Sequence, residues 1–212
     1  MSGMEEGFLA LELAAVWLIL LATGWNKEAA GGLGWRMAAA GIAGMIMLSR
    51  IEVDLPWGLR ASASAAALLL ACLAVWRLGV PRGDRFYTAG CALLLGLLMA
   101  WMNTMYASSP LLTVVRAGWD IPILCGMLAA LLSLRAANQL VIIAVGYWIA
   151  SVFPAWLPST IGAASVIGKA GWWDGFAAAA TSCRLLTVVI SAAASGFSRL
   201  FVQRMDNREG DI

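Results

Sequence analysis

Seven stretches of mostly apolar residues alternate along the chain with short breaks rich in charge, Pro or Gly. They run from Phe8 to Trp25, then from about Leu33 to Leu48, Ala61 to Trp76, Phe86 to Tyr106, Asp120 to Leu134, Gln139 to Phe153 and Gly175 to Val202. About 20 apolar residues in a helix cross a hydrocarbon core of about 30 Å. The pattern therefore predicts an all-α, polytopic transmembrane helix bundle of about seven spans. Residues 1–202 make one transmembrane helical domain, and 203–212 form a short polar tail.

The breaks refine this layout. Ser49 to Gly58 is a charged turn containing Pro56 and Trp57, so spans two and three are expected to form a tight hairpin. Small residues recur at helical spacing in both, at Gly34, Ala38, Gly41 and Gly44 and at Ser64, Ala67, Ala71 and Ala74, a device that lets backbones approach closely in lipid. Pro81 and Gly83 interrupt the loop after span three, and Arg135 to Asn138 is so short that spans five and six must be antiparallel neighbours. Leu111 to Trp119 is apolar but too short to cross, and reads as an interfacial or re-entrant piece leading into span five.

Composition narrows the function classes. The chain is 62% hydrophobic and 12% charged, with mean hydropathy +0.84. A soluble domain is about half apolar and about a quarter charged, so a soluble reading fails. A net charge of +2 spread over many loops leaves no basic face for nucleic acid. The chain has no histidine, which removes the usual zinc ligands, histidine-ligated haem and every Ser-His or Cys-His nucleophile; no cofactor or metal is predicted. The four cysteines lie inside apolar runs without a C-x-x-C and read as small core residues.

Charge also sets an expected orientation. The opening Met1 to Gly7 carries Glu5 and Glu6 and no cation, unlike the positive start of a secretory signal, so the first run reads as an uncleaved span. With seven spans and an outside N-terminus, nine cations fall on the cytoplasmic side: Lys27, Arg36, Arg77, Arg82, Arg85, Arg135, Arg199, Arg204 and Arg208. Four fall outside, namely Arg50, Arg60, Arg116 and Lys169. That is the positive-inside bias of a protein of the bacterial cytoplasmic membrane with a cytoplasmic C-terminus.

Two short strings echo one another. Arg116-Ala117-Gly118-Trp119-Asp120 precedes span five, and Lys169-Ala170-Gly171-Trp172-Trp173-Asp174 precedes span seven. Each sets a cation and an anion about one helical turn apart around a ring suited to the lipid–water boundary. Arg116, Trp119, Asp120, Lys169, Trp172 and Asp174 are thus expected to be interfacial anchors, with the two acids starting their own helices. Each string also stands in an outer loop, so the flanking hairpins share one orientation, as in a parallel repeat.

The costliest residue is Arg184, deep in span seven. An Arg near a bilayer centre costs roughly 2.5 to 3.5 kcal/mol on insertion scales and needs a partner or water. Thr181, Arg184, Thr187, Ser191, Ser195 and Ser198 recur at three- and four-residue intervals, so span seven carries one polar stripe. Such a stripe either bonds to neighbouring helices or lines a path for a solute. Glu12, one turn into span one, is the expected ion-pair partner of Arg184, and with Thr181, Thr187 and Ser191 completes a candidate intramembrane polar cluster.

The run Ala22-Thr23-Gly24-Trp25-Asn26-Lys27 that closes span one, and Trp172-Trp173-Asp174-Gly175 leading into a polar last span, resemble the YphA-like family of uncharacterised multi-pass membrane proteins. The resemblance implies a cytoplasmic-membrane location, and brings no established enzyme activity or functional residues. The chain carries no G-x-S-x-G and no G-x-G-D motif. The expectation is a non-enzymatic structural or accessory component of a membrane assembly, with the lipid bilayer and other membrane proteins or further copies of itself as partners. A small permease using the stripe of span seven is the alternative, and a lipid-modifying intramembrane enzyme a more distant one.

Overall fold

The computed structural model describes residues 6–24, 35–54, 59–108, 117–153 and 166–209, and among these are seven α-helices. They are α1 (Phe8–Ala22), α2 (Trp35–Leu48), α3 (Ala63–Leu78), α4 (Arg85–Ser108), α5 (Ala117–Leu132), α6 (Ala136–Val152) and α7 (Ala170–Glu209). Each coincides with one apolar run of the sequence. Two stretches, Arg82–Ser108 and Ala170–Gly196, are long and apolar enough to cross a membrane; the other helices are apolar and have 14 to 17 residues. α7 is one continuous helix of 40 residues, roughly 60 Å at 1.5 Å per residue, so it continues through residues 203–209 of the expected tail. Its side chains are described as far as Gly196.

The hairpin between α2 and α3 contains a feature that the helical reading missed. Glu52–Asp54 (β1) pairs antiparallel with Arg60–Ser62 (β2), with Val53 opposite Ala61. Ile167 joins this ribbon from the segment before α7, donating to the Arg60 carbonyl and accepting from the Ser62 amide, each at 2.8 Å. The expected start of span three at Ala61 is therefore corrected to Ala63. Ala61 and Ser62 belong to β2, and the Ser62 hydroxyl caps α3 by accepting from the Ala65 amide. Gly168, at φ +85°, lets the chain turn here, because a side chain would collide with Ser62 and Ala65.

Helix directions follow from contacts at both ends. α5 and α7 run parallel: Pro122 lies beside Gly175, and Gly126 lies beside Ala179 and Ser182. α4 and α6 are also parallel, with Gly96 against Gly146 and Ile149. These two parallel pairs are the most extensive packings in the bundle. α5 and α6, joined by a three-residue turn, touch far less than either touches its parallel partner. α6 is antiparallel to α3 and to α7, and α5 to α4, where the Tyr87 hydroxyl donates to the Leu132 carbonyl. α1 runs parallel to α7. One core unites α3 to α7, with Cys72, Leu95, Ile121, Cys125, Ile142 and Cys183 buried in it. All four cysteines are free and buried.

The close approaches lie at glycines other than those the small-residue pattern suggested. Side chains built at Gly41 and Gly44 of α2 would meet nothing within 4 Å, and Ala71 and Ala74 of α3 are exposed. At Gly126 a methyl group would collide with the Ser182 hydroxyl and the Ala179 carbonyl, and at Gly96 it would stand 2.7 Å from Ile149 Cβ. Gly126→Ala is therefore expected to lower stability by about 1–3 kcal/mol through overpacking, while Gly41→Ala does not lower it, since Ala is the better helix former where nothing stands in its way. Thermal unfolding of the purified protein in detergent checks both; equal behaviour of the two variants would count against this packing.

Candidate functional site

Three polar constellations stand out, and α7 contributes to each. The first is a clasp where α1, α5 and α7 begin. α1 starts after Gly7, which sits at φ +95° and offers no capping side chain. The first amides of a helix lack partners within it. Here the Asp174 carboxylate supplies them from α7, accepting from the Gly7 amide at Oδ2 and the Ala10 amide at Oδ1, both at 2.7 Å. One carboxylate thus does across two helices what a capping box does with two side chains in one. The expectation that Asp174 starts its own helix is corrected: α7 begins at Ala170, and Asp174 lies in its second turn, serving α1. Glu6 returns the favour loosely, its carboxylate lying over Gly171 in the first turn of α7, 3.8 Å from where a Cβ would stand.

The two echoed strings do begin helices at matching positions, one residue after each cation, at Ala117 and Ala170. They also stand side by side, because α5 and α7 are parallel. Asp120 is buried in the first turn of α5, where the helix dipole favours an acid. Trp119 is half-buried and Lys169 exposed, while Arg116 lies outside the described residues. Trp172 departs from the anchor expectation. It stacks on Phe176 at 5.7 Å, meets Tyr147 and Trp173 edge-on, and donates from Nε1 to the Ser151 hydroxyl of α6 at 2.9 Å. The insertion of Trp173 relative to the first string coincides with this inward turn.

The second constellation is the polar stripe of α7, and it is bonded to its neighbours. The Thr181 hydroxyl accepts from the Trp17 indole of α1 at 3.0 Å, and Ser182 donates to the Ile123 carbonyl of α5 at 3.2 Å. Half-buried Arg184 donates to Gln139 Oε1 of α6 at 2.9 Å. Gln139 Nε2 in turn donates to the Thr187 hydroxyl at 2.7 Å and the Ser133 carbonyl at 2.6 Å, and Thr187 donates to the Cys183 carbonyl. Ser191 and Ser195 are exposed and bond back to their own helix; the side chain of Ser198 lies outside those described.

The expected Glu12–Arg184 ion pair is not formed. The register set by Ala10 with Asp174 and Trp17 with Thr181 puts Glu12 level with about residue 176, roughly 12 Å along the axis from Arg184. Glu12 is also exposed, on the face of α1 that presents Leu11, Val16 and Ile19 away from α7. Gln139, fully buried, is a partner that sequence reasoning overlooked; an amide at the first position of the apolar run, next to Asn138, was the available signal. At the opposite end, an exposed Arg135–Asp84 bridge of 2.6 Å ties the α5–α6 turn to the loop before α4.

The third constellation is a cavity of about 480 Å³ at the clasp end. The last turns of α4 and α6 and the first turns of α5 and α7 enclose it, with Asn103, Tyr147, Ser151, Lys169 and Glu6 among its lining residues. Arg184, Thr181, Thr187, Ser191 and Glu12 do not line it.

Apolar helices turned outward, with polar side chains inside bonded from one helix to the next, define an integral membrane protein. A family model described as YphA-like integral membrane protein matches residues 7–210, and the chain belongs to that family. No curated protein and no solved structure matches the chain.

Removing the clasp is expected to loosen the start of α1 alone. Asp174→Ala loses both acceptors, at about 0.5–2 kcal/mol for a lost cap. Amide exchange at Gly7 and Ala10 should accelerate by roughly two- to thirtyfold, while exchange in α6 stays as it was. Unchanged exchange at these two amides would mean that the carboxylate does not cap α1.

Proposed function

We propose that the chain is a seven-pass protein of the bacterial cytoplasmic membrane, N-terminus outside and C-terminus cytoplasmic, acting as a non-catalytic structural or accessory component of a membrane assembly. The alternating helix directions and the excess of cations at the cytoplasmic ends support this topology. The observation that carries the functional reading is the bonding of α7: Thr181, Arg184 and Thr187 of the stripe, and Ser182 beside it, each hold a side chain or carbonyl of another helix. Side chains committed in this way hold the bundle together and favour a framework over a solute path. A carboxylate on an outward apolar face, Glu12 beside Leu11 and Ile19, adds to this, because charge facing hydrocarbon is costly and a neighbouring membrane protein would cover it.

Two measurements test this proposal. A reporter fused after Ile212 is expected to be active only in its cytoplasm-sensing form; activity of a periplasm-sensing reporter there would refute the topology. A photoreactive residue placed at Leu11 or Ile19 in living cells should give one discrete protein adduct, lost when Glu12 is changed to Leu. Crosslinking to lipid alone at both positions would contradict an accessory role.

A further inference from the structure

Among the described residues, one edge of the β ribbon is open. The Ala63 amide donates to the Ile51 carbonyl at 2.7 Å, which makes these two a bonded pair of the antiparallel ladder. Bonded and unbonded pairs alternate along such a ladder. Val53 and Ala61 are therefore the next bonded pair, and Glu52 and Asp54 turn their amides and carbonyls away from β2. The residues opposite them confirm this parity: the Ser62 amide and the Arg60 carbonyl point away from β1 and bond to Ile167. One side of the ribbon has thus taken up a third segment, and the other side offers an edge of the same kind. No backbone bond among the described residues reaches Glu52 or Asp54 on that side, and all three residues of β1 are exposed.

The edge is held in place from behind. Ala61 of β2 is buried with Ala65, Trp148 and Ile167, and the Ser62 hydroxyl bonds to that of Ser64. β1 is carried on this anchored strand by the ladder and by an Asp54–Arg60 bridge of 3.2 Å. A strand fixed in advance loses little further freedom when another pairs with it. Side chains alternate along β1, so Glu52 and Asp54 set two carboxylates on one face, with exposed Val53 on the other. Glu52 forms no ion pair among the described residues.

We infer that the open edge of β1 takes up, by strand addition, an extended segment of another protein that reads cation, apolar residue, cation. Its two cationic residues lie opposite Glu52 and Asp54 and exchange backbone bonds with them, while the apolar residue between lies opposite Val53. Main-chain bonds supply affinity in this mode, and the alternating side chains supply selectivity. A second copy of this chain is a poor occupant. Antiparallel pairing centred on Val53 would set Glu52 against Asp54 of the copy, and like charges directly opposite destabilise a ladder. The acids that guard a short edge against its own kind therefore select a basic strand. This surface is not the outward face of α1, and the inference goes beyond the accessory role proposed above without resting on it.

The test titrates the isotope-labelled full chain in nanodiscs with the acetylated and amidated peptide Thr-Lys-Val-Lys-Thr, following the amide signals by NMR. Saturable shifts confined to the ribbon, with slower exchange at the Glu52 and Asp54 amides, are expected. The same peptide N-methylated on both lysine amides keeps its charge but cannot donate to β1, and should bind about tenfold more weakly. The acidic peptide Thr-Glu-Val-Glu-Thr should not bind. Glu52→Pro removes one outward donor and leaves the bonds of Val53 with Ala61 in place; it should bind the basic peptide about two- to tenfold more weakly than Glu52→Gln, which removes the charge alone. Unchanged signals from Ala61, Ser62 and Ile167 show that the ribbon of each variant is intact, and the methylated peptide tests the unaltered protein. Absence of binding by the basic peptide, equal binding of the acidic one, or binding indifferent to N-methylation would overturn the inference. Dimerisation of the chain that Glu52→Pro abolishes would give the edge to a second copy and overturn the choice of occupant.

Discussion

In hydrocarbon there is no water to satisfy a buried polar group, so a helix that carries a stripe of them must find its partners in other helices. α7 is that helix, and much of the architecture follows. Asp174 reaches the start of α1, Thr181 the indole of Trp17, Ser182 a carbonyl of α5, and Arg184 and Thr187 the same amide of α6. Each bond alone is modest, averaging about 0.6 kcal/mol for interhelical contacts of this kind. Together they fix the rotation and depth of α7 against three neighbours, which dispersion between smooth apolar faces would leave free to slide.

Glycine then decides how close those neighbours come. Gly126 admits the backbone of α7 to α5, Gly96 admits α6 to α4, and Gly175 makes room for the hydroxyl of Tyr147. The two parallel pairs formed in this way place the C-terminal turns of α4 and α6 beside the N-terminal turns of α5 and α7. A cavity opens where these unlike ends meet, with a charged rim and an aromatic wall. Framework and cavity are therefore products of the same contacts: Trp172, packed edge-on against Tyr147, helps to seat α7 and also lines the cavity.

Much of this was legible in the sequence, and the rest had physical reasons to be hidden. The helices could be read because apolar runs of this length have few alternatives in a chain so poor in charge. The family membership expected from Trp172-Trp173-Asp174-Gly175 and the run closing span one was borne out. Arg184 could be singled out by its cost, yet Gln139 could not be named as a partner, since a neutral amide accepts from a guanidinium without carrying a charge that marks it in the sequence. Pairing Glu12 with Arg184 assumed that opposite charges seek each other, whereas helix register keeps them apart. The β ribbon had left a trace in Ile51-Glu52-Val53-Asp54, a period-two alternation eclipsed by the stronger helical signal around it. Asp174 looked like the cap of its own helix because sequence spacing sees only local partners; that its carboxylate serves α1 depends on two helix starts lying side by side.

If the bonds of α7 hold the bundle, the contact between Arg184 and Gln139 carries a measurable part of its stability. A double-mutant cycle with Arg184→Leu and Gln139→Leu, read from unfolding of the protein in lipid bilayers, measures the coupling between the two side chains. A favourable coupling of about 1 kcal/mol or more, at the upper end of interhelical bonds, is the predicted result. Additive single effects, with coupling within about 0.3 kcal/mol of zero, would mean that this bond does not hold α7 to α6.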